Sequence, residues 1–162
     1  MELGNQQERL TGWFAGMIDS DGSIGLHRQL FGKHVTYVPS VSLTTSCALT
    51  RDVLKEVFQH FGVGFHVTER TPKNRNWSKV WVFNTRGMKR GEKLLLVLTD
   101  ALVTKRREAE LVMRFIRVRQ AQSKAVPYGT EELSLVEQLK ACKSRNLSLS
   151  SETICRAPNV VG

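Results

Sequence analysis

A change of hydrophobic period at a single turn constrains this chain more than any other feature. Leu10, Trp13, Phe14, Met17 and Ile18 recur at i, i+3, i+4, i+7 and i+8, the stripe of an amphipathic helix. The turn Asp19-Ser20-Asp21-Gly22 ends it. Residues 24–30 and 35–45 then read as two strands, with Phe31-Gly32-Lys33-His34 as the hairpin turn. In the second strand Val41 and Leu43 alternate with Ser40, Ser42 and Thr44, so one face packs and the other meets water or a polar partner.

The rest of the chain continues the pattern. Residues 50–61 form a helix with Val53, Leu54, Val57, Phe58 and Phe61 on one face, ended by Gly62. A second strand pair follows at residues 65–70 and 79–83. Its connection carries Lys73, Arg75 and Trp77. Helices are expected at residues 92–98 and 105–120, the latter with Leu111, Val112, Phe115, Ile116 and Val118 inward and five arginines outward. Thr130, with Glu131 and Glu132 behind it, caps a last helix to about Lys143. The order predicts an α+β fold with four strands, one domain over residues 1–144 and a loose tail over 145–162. No internal duplication marks a repeat protein.

Composition narrows the function. Of 162 residues, 41% are hydrophobic and 24% charged, which excludes a disordered chain. The net charge of +9 favours an anionic partner, nucleic acid being the commonest; a basic protein without one is the plainer alternative. Cys47, Cys142 and Cys155 have no CxxC spacing, against a disulfide framework or zinc ribbon. No apolar run is long enough to span a bilayer, and the N-terminus lacks signal-peptide order. The expectation is an intracellular protein, in cytoplasm, nucleoid or organelle, with no membrane partner.

The first helix holds two further clues. Gly12 and Gly16 each cost about 1 kcal/mol relative to alanine in a helix interior. With Ala15 and Asp19 they are expected to form a flat small-residue face opposite the bulky stripe, suited to close approach of a second helix. Asp19 and Asp21 at a helix C-terminus oppose its dipole. Two readings stand: a plain Asp-Gly turn, or an oxygen site for Mg²⁺ or Ca²⁺ that pairing of two helices would double. An EF-hand lacks its oxygen pattern and terminal glutamate.

The run Trp13-Phe14-Ala15-Gly16-Met17-Ile18-Asp19-Ser20-Asp21-Gly22-Ser23, followed by a hairpin, resembles the motif of the LAGLIDADG homing endonucleases. Element order and length resemble the single-motif, homodimeric branch over roughly residues 8–120. The resemblance implies an αββαββα core whose paired first helices form the dimer interface through Gly12, Ala15, Gly16 and Asp19, and a four-stranded antiparallel saddle in the DNA major groove. It implies Asp21 as essential metal ligand, with the carbonyl of Ser20 beside it, and Asp19 as mainly structural. The family's basic residue before the long helix aligns with Lys105. Where many relatives carry a glutamine and a basic residue after the second strand, this chain has Thr45, Ser46 and Cys47, then Arg51. Ser46 or Thr45 takes the water-holding place and Arg51 the basic one. Mg²⁺ is implied, two or more ions per dimer, with Ca²⁺ or Mn²⁺ able to substitute.

Strand alternation then selects a DNA face. It comprises Ser23, Gly25, His27 and Gln29 in the first strand, with Ile24, Leu26 and Leu30 packed. Ser40, Ser42 and Thr44 follow in the second strand and His66, Thr68 and Arg70 in the third. Lys79 and Trp81 join them in the fourth if Val80 and Val82 are core, and Lys73 and Arg75 extend the face. The expected function is site-specific double-strand cleavage of a long, near-palindromic DNA site. An intron-borne enzyme is favoured because no flanking splice-junction residues are visible. The rival is a non-cleaving relative, an intron RNA maturase or a transcription regulator. A small-molecule metal enzyme lacks a His/Glu cluster or a Gly-rich phosphate loop.

Overall fold

The computed structural model describes residues 2–71, 78–122 and 126–154, with side chains between residues 6 and 144. Lys73, Arg75, Trp77 and Cys155 lie outside the described residues. The elements run α1 (Glu2–Asp21), β1 (Gly22–Phe31), β2 (His34–Thr45), α2 (Ala48–His60), β3 (His66–Arg70), β4 (Val80–Arg86), α3 (Met88–Leu98), α4 (Arg106–Gln120) and α5 (Thr130–Ile154). The four strands form one antiparallel sheet in the order β1-β2-β4-β3. The α+β reading therefore holds. α5 continues well past its expected end near Lys143, because no Gly or Pro interrupts the sequence before Pro158.

Local chemistry explains the joints. Gly32 has φ +60° at the first position of the two-residue turn between β1 and β2, a conformation glycine reaches without steric cost. α2 ends in a Schellman motif: Gly62 has φ +59°, its N–H donates to the Gln59 carbonyl, and Val63 N–H donates to the Phe58 carbonyl. Gly22 is required for a different reason. A Cβ there would lie 2.7 Å from Ile18 Cα and 2.8 Å from the Ile18 carbonyl oxygen, and both are backbone atoms. Gly22→Ala must push β1 away from α1, with an expected loss of about 1–3 kcal/mol, read as a lower urea midpoint at unchanged m-value.

The core lies between the helices and one sheet face. Phe14 of α1, Phe58 and Phe61 of α2 and Phe83 of β4 are all buried. Phe14 meets Phe58 edge-on at 5.1 Å, and Phe58 stacks on Phe83 at 5.9 Å. α4 adds Leu111, Val112, Phe115 and Ile116, with Val118 partly buried. Among the described residues, no helix is long and apolar enough to cross a membrane.

Register fixes which face is which. Ile24 pairs with Val41, Gly22 with Leu43 and Leu43 with Phe83, and all but Gly22 are buried on the helical side. The opposite face carries Ser23, Gly25, His27 and Gln29; Ser40, Ser42 and Thr44; and His66, Thr68 and Arg70. In β4 the expected parity is reversed. Phe83 and Thr85 are fully buried, so Trp81 falls on the helical side with them, opposite Thr45 and Glu69, and Val80, Val82, Asn84 and Arg86 face the other way. The expectation took two valines as core, but one buried phenylalanine outweighs them. Trp81 instead donates from Nε1 to Glu69 (3.1 Å), and Lys79 lies before the strand and pairs with the same carboxylate at 2.8 Å. Leu30 is also not packed. It is 62% exposed at the hairpin tip, beside an equally exposed Phe31.

Candidate functional site

The end of α1 is where helix, sheet and the α3–α4 connection meet. Asp19 is partly buried there. Its carboxylate accepts the backbone N–H of Val103 at 2.7 Å and of Lys105 at 2.9 Å, and the Thr104 hydroxyl at 3.0 Å. Lys105, at the N-cap of α4, offers no capping side-chain bond, so Asp19 supplies the capping oxygens from another helix. The Lys105 ammonium turns the other way and donates to the carbonyls of Ile18 (2.7 Å) and Asp19 (2.6 Å). It thus places a positive charge on the negative end of α1. Two helix termini of opposite polarity are tied together through one Asp–Lys exchange.

Burial pushes the Asp19 pKa up, but the hydrogen bonds from Val103, Lys105 and Thr104 together outweigh it and hold it below its ordinary 3.8. A depressed carboxylate contributes stability that is fully present above its unfolded pKa and lost as pH falls through the folded value. Asp19→Asn should cost about 1 kcal/mol at neutral pH. It should also flatten the acid limb: urea midpoints measured from pH 7 to pH 3 fall more steeply for the wild type than for the variant.

Asp21 differs from Asp19. It is exposed, and its near partner is the Ser20 hydroxyl, which donates to Oδ2 at 3.3 Å. The Ser20 carbonyl lies in the last turn of α1, where carbonyls lack intrahelical donors. A carboxylate and a free carbonyl at the negative end of a helix are hard oxygen donors, the set that Mg²⁺ or Ca²⁺ takes. They fit such an ion but cannot complete its shell alone. Among the described residues no group of three or more His, Cys, Asp or Glu side chains converges. Gly22 pairs with Leu43, so the end of β2, with Thr44, Thr45 and the exposed Ser46, runs alongside this turn. Arg51 is engaged elsewhere. Its guanidinium forms a two-pronged pair with Asp52 at 2.7 and 2.8 Å and lies 4.7 Å over the Trp81 ring.

The small-residue face of α1 comes out rotated. Ala15 is fully buried in its own core and Asp19 points to residues 103–105, so neither is free for a second helix. Gly12 and Gly16 are exposed, a Cβ at either meets nothing within 4 Å, and Trp13 stands beside them at 38% exposure. The core side of α1 is set by Phe14, Ala15 and Ile18 rather than by the whole apolar stripe.

From this turn the polar sheet face opens as a shallow cavity of 260 Å³, where His27, Ser40 and Ser42 meet Asn84, Arg86 and Lys143. The Ser40 hydroxyl donates to Asn84 Oδ1 at 3.2 Å. Asn84 and Arg86 were missed because the fourth strand was expected to stop at residue 83; extending its alternation from a core Phe83 finds both. Lys143, from α5, left no periodic signal.

No family model matches the sequence, and no curated protein matches it. Solved structures do. The chain is similar to the homing endonuclease I-CvuI in complex with the I-CreI target in 2 mM Mg, with the DNA not cleaved: TM-score 0.60, 19% identity, covering 86% of this chain and 81% of that one. It is similar to the LAGLIDADG homing endonuclease I-GzeII in complex with its DNA target: TM-score 0.57, 18% identity, covering 82% of this chain and 43% of that one. It is also similar to the group I intron-encoded homing endonuclease I-CeuI complexed with DNA: TM-score 0.57, 11% identity, covering 70% of this chain and 56% of that one. This chain has the fold of the LAGLIDADG homing endonucleases.

Proposed function

We propose that this chain is a site-specific endonuclease of the single-motif LAGLIDADG type, which dimerises through α1 and cuts both strands of a near-palindromic DNA site. The observation that carries the reading is the end of α1, where an exposed Asp21 opens onto a polar, basic sheet face while Asp19 and Lys105 hold the backbone beneath it. The DNA complexes of I-CvuI and I-CeuI support duplex DNA as partner. I-CvuI complexes solved with Mg and with Ca support a divalent ion. Mg²⁺ as the working ion, two or more per dimer, with Ca²⁺ or Mn²⁺ as substitutes, is part of the proposal. An intron-borne gene belongs to the same reading, as for the intron-encoded I-CeuI.

Each residue then has a task. Asp21 and the Ser20 carbonyl hold the ion with their counterparts from the second copy across exposed Gly12 and Gly16. When bound, the ion supplies a Lewis acid to the phosphate oxygens. Asp19 and Lys105 fix the turn, and the Lys105 ammonium sets a positive charge near the phosphate oxygens on which negative charge develops. Ser46 offers a hydroxyl to hold a water. Arg51, paired with Asp52 and stacked on Trp81 on the helical side of the sheet, takes no task at the ion. Ser23, Gly25, His27, Gln29, Ser40, Ser42, Thr44, Asn84, Arg86, His66, Thr68 and Arg70 line the DNA face. Arg, His, Gln and Asn read base edges, and the hydroxyls and lysines hold phosphates. Two such faces span about two helical turns.

The test is a plasmid library with a randomised segment, incubated in Mg²⁺ or in EDTA, followed by sequencing of the new ends. Double-strand breaks at one near-palindromic site in Mg²⁺ alone are the expected result. Tight binding without a nick would mean a non-cleaving nucleic-acid-binding protein.

A further inference from the structure

A lysine from the last helix reaches the same face of the sheet as the DNA-reading strands. α5 packs on α4, and α4 lies on the helical side of the sheet, where Phe115 meets Tyr37. β1 is an edge strand, so a long side chain from this layer can reach past it. Lys143 does so at Gly25: a Cβ on Gly25 would lie 2.7 Å from Lys143 Nζ, and Gly25 is buried by this cover. The ammonium lines the polar cavity with His27 and Arg86, whose walls hold no carboxylate. Among the described residues Lys143 makes no hydrogen bond or ion pair. Its pKa lies below the ordinary lysine value: desolvation depresses it first, Glu108 pulls it up and Lys105 pushes it down. A positive charge drawn partly out of water with no hydrogen bond among the described residues is costly, and an anion entering the cavity lowers that cost.

We propose that Lys143 is a ligand for a DNA backbone phosphate flanking the cleavage centre, seated by the absence of a side chain at Gly25. The assignment rests on the DNA reading above. Gly25 is four residues on from Asp21, the last residue of α1, and so at most roughly 13 Å away at strand rise; the contact falls near but not at the scissile phosphate. A lysine here adds affinity without reading sequence, and each released counterion adds about 0.9 to the salt slope.

The experiment measures binding of a 30-bp random-sequence duplex by fluorescence anisotropy in Ca²⁺, from 50 to 300 mM salt. It compares the wild type with Lys143→Met, which keeps the aliphatic stem, and with Lys143→Arg. Lys140→Met is the control, because Lys140 already pairs with Glu137 at 2.7 Å. The expected result for Lys143→Met is roughly tenfold weaker binding at 100 mM salt and a slope shallower by about 0.9 per bound chain, at an unchanged melting temperature. Lys143→Arg and Lys140→Met keep the wild-type slope. A Lys143→Met protein with the wild-type slope overturns this inference and leaves the DNA reading standing. If Lys143→Met unfolds, a shallower slope for Lys143→Arg at the wild-type melting temperature overturns it as well. A wild-type protein that binds no duplex overturns both.

Discussion

Asp21→Asn is expected to lower DNA cleavage by at least about a thousandfold while specific binding stays intact or tightens slightly. Asparagine keeps the shape of the side chain and an oxygen toward the Ser20 hydroxyl. It loses the charge that would hold a divalent ion in the proposed site, an ion whose effect on phosphoryl oxygens amounts to several kcal/mol. On the proposed reading, binding would depend on the strand faces and basic side chains rather than on this carboxylate. Removing a carboxylate that would face phosphates relieves repulsion, hence the slight tightening. Lys105→Ala should behave differently. Its ammonium bonds the Ile18 and Asp19 carbonyls, so the variant loses stability as well as rate. Parallel gel-shift and cleavage assays on one target check both. An Asp21→Asn protein that cuts both strands near the wild-type rate would make the aspartate a structural turn residue.

Gly16→Leu, alone or with Gly12→Leu, is expected to stabilise the isolated chain and abolish cleavage. A Cβ at either position meets nothing within 4 Å, so the fold accepts a side chain. Replacing glycine in a helix interior gains about 1 kcal/mol, or roughly 2–4 °C in melting temperature. If α1 packs against its counterpart, each leucine enters a twofold contact twice, at about 1–3 kcal/mol per overpacked side chain. Dimer affinity then falls at least about thirtyfold. Melting curves and sedimentation velocity separate the two effects. A leucine variant that is still dimeric and active would place the interface elsewhere.

The α1 stripe, the turn at residues 19–22 and the first hairpin were legible because each is set by local period and turn chemistry. The polar sheet face was legible where polar and apolar residues alternate, as at residues 23–26 and 40–44; Leu30, exposed at the hairpin tip, departs from that pattern. The reading failed in β4 because Val80, Val82, Trp81 and Phe83 are all apolar; only their register against Leu43 and Val67 decides which are core. Asp19 was readable as structural only through the family resemblance. Its partners are some 85 residues away, and no spacing encodes them. Ala15 read as an interface residue because a helical wheel centred on the largest side chains misplaces the buried sector by part of a turn. Lys143 was invisible for the same reason as the Asp19 contacts: it acts through packing of α5 on α4 and through a missing side chain on another element.

The account turns on two α1 helices meeting, since one chain offers a single exposed aspartate at the turn. The most direct test is the molar mass of the protein at micromolar concentration, by sedimentation equilibrium, alone and on the duplex recovered from the cleaved library. The predicted result is two chains of 18.3 kDa per particle, and two per duplex. A single chain under both conditions would contradict the account.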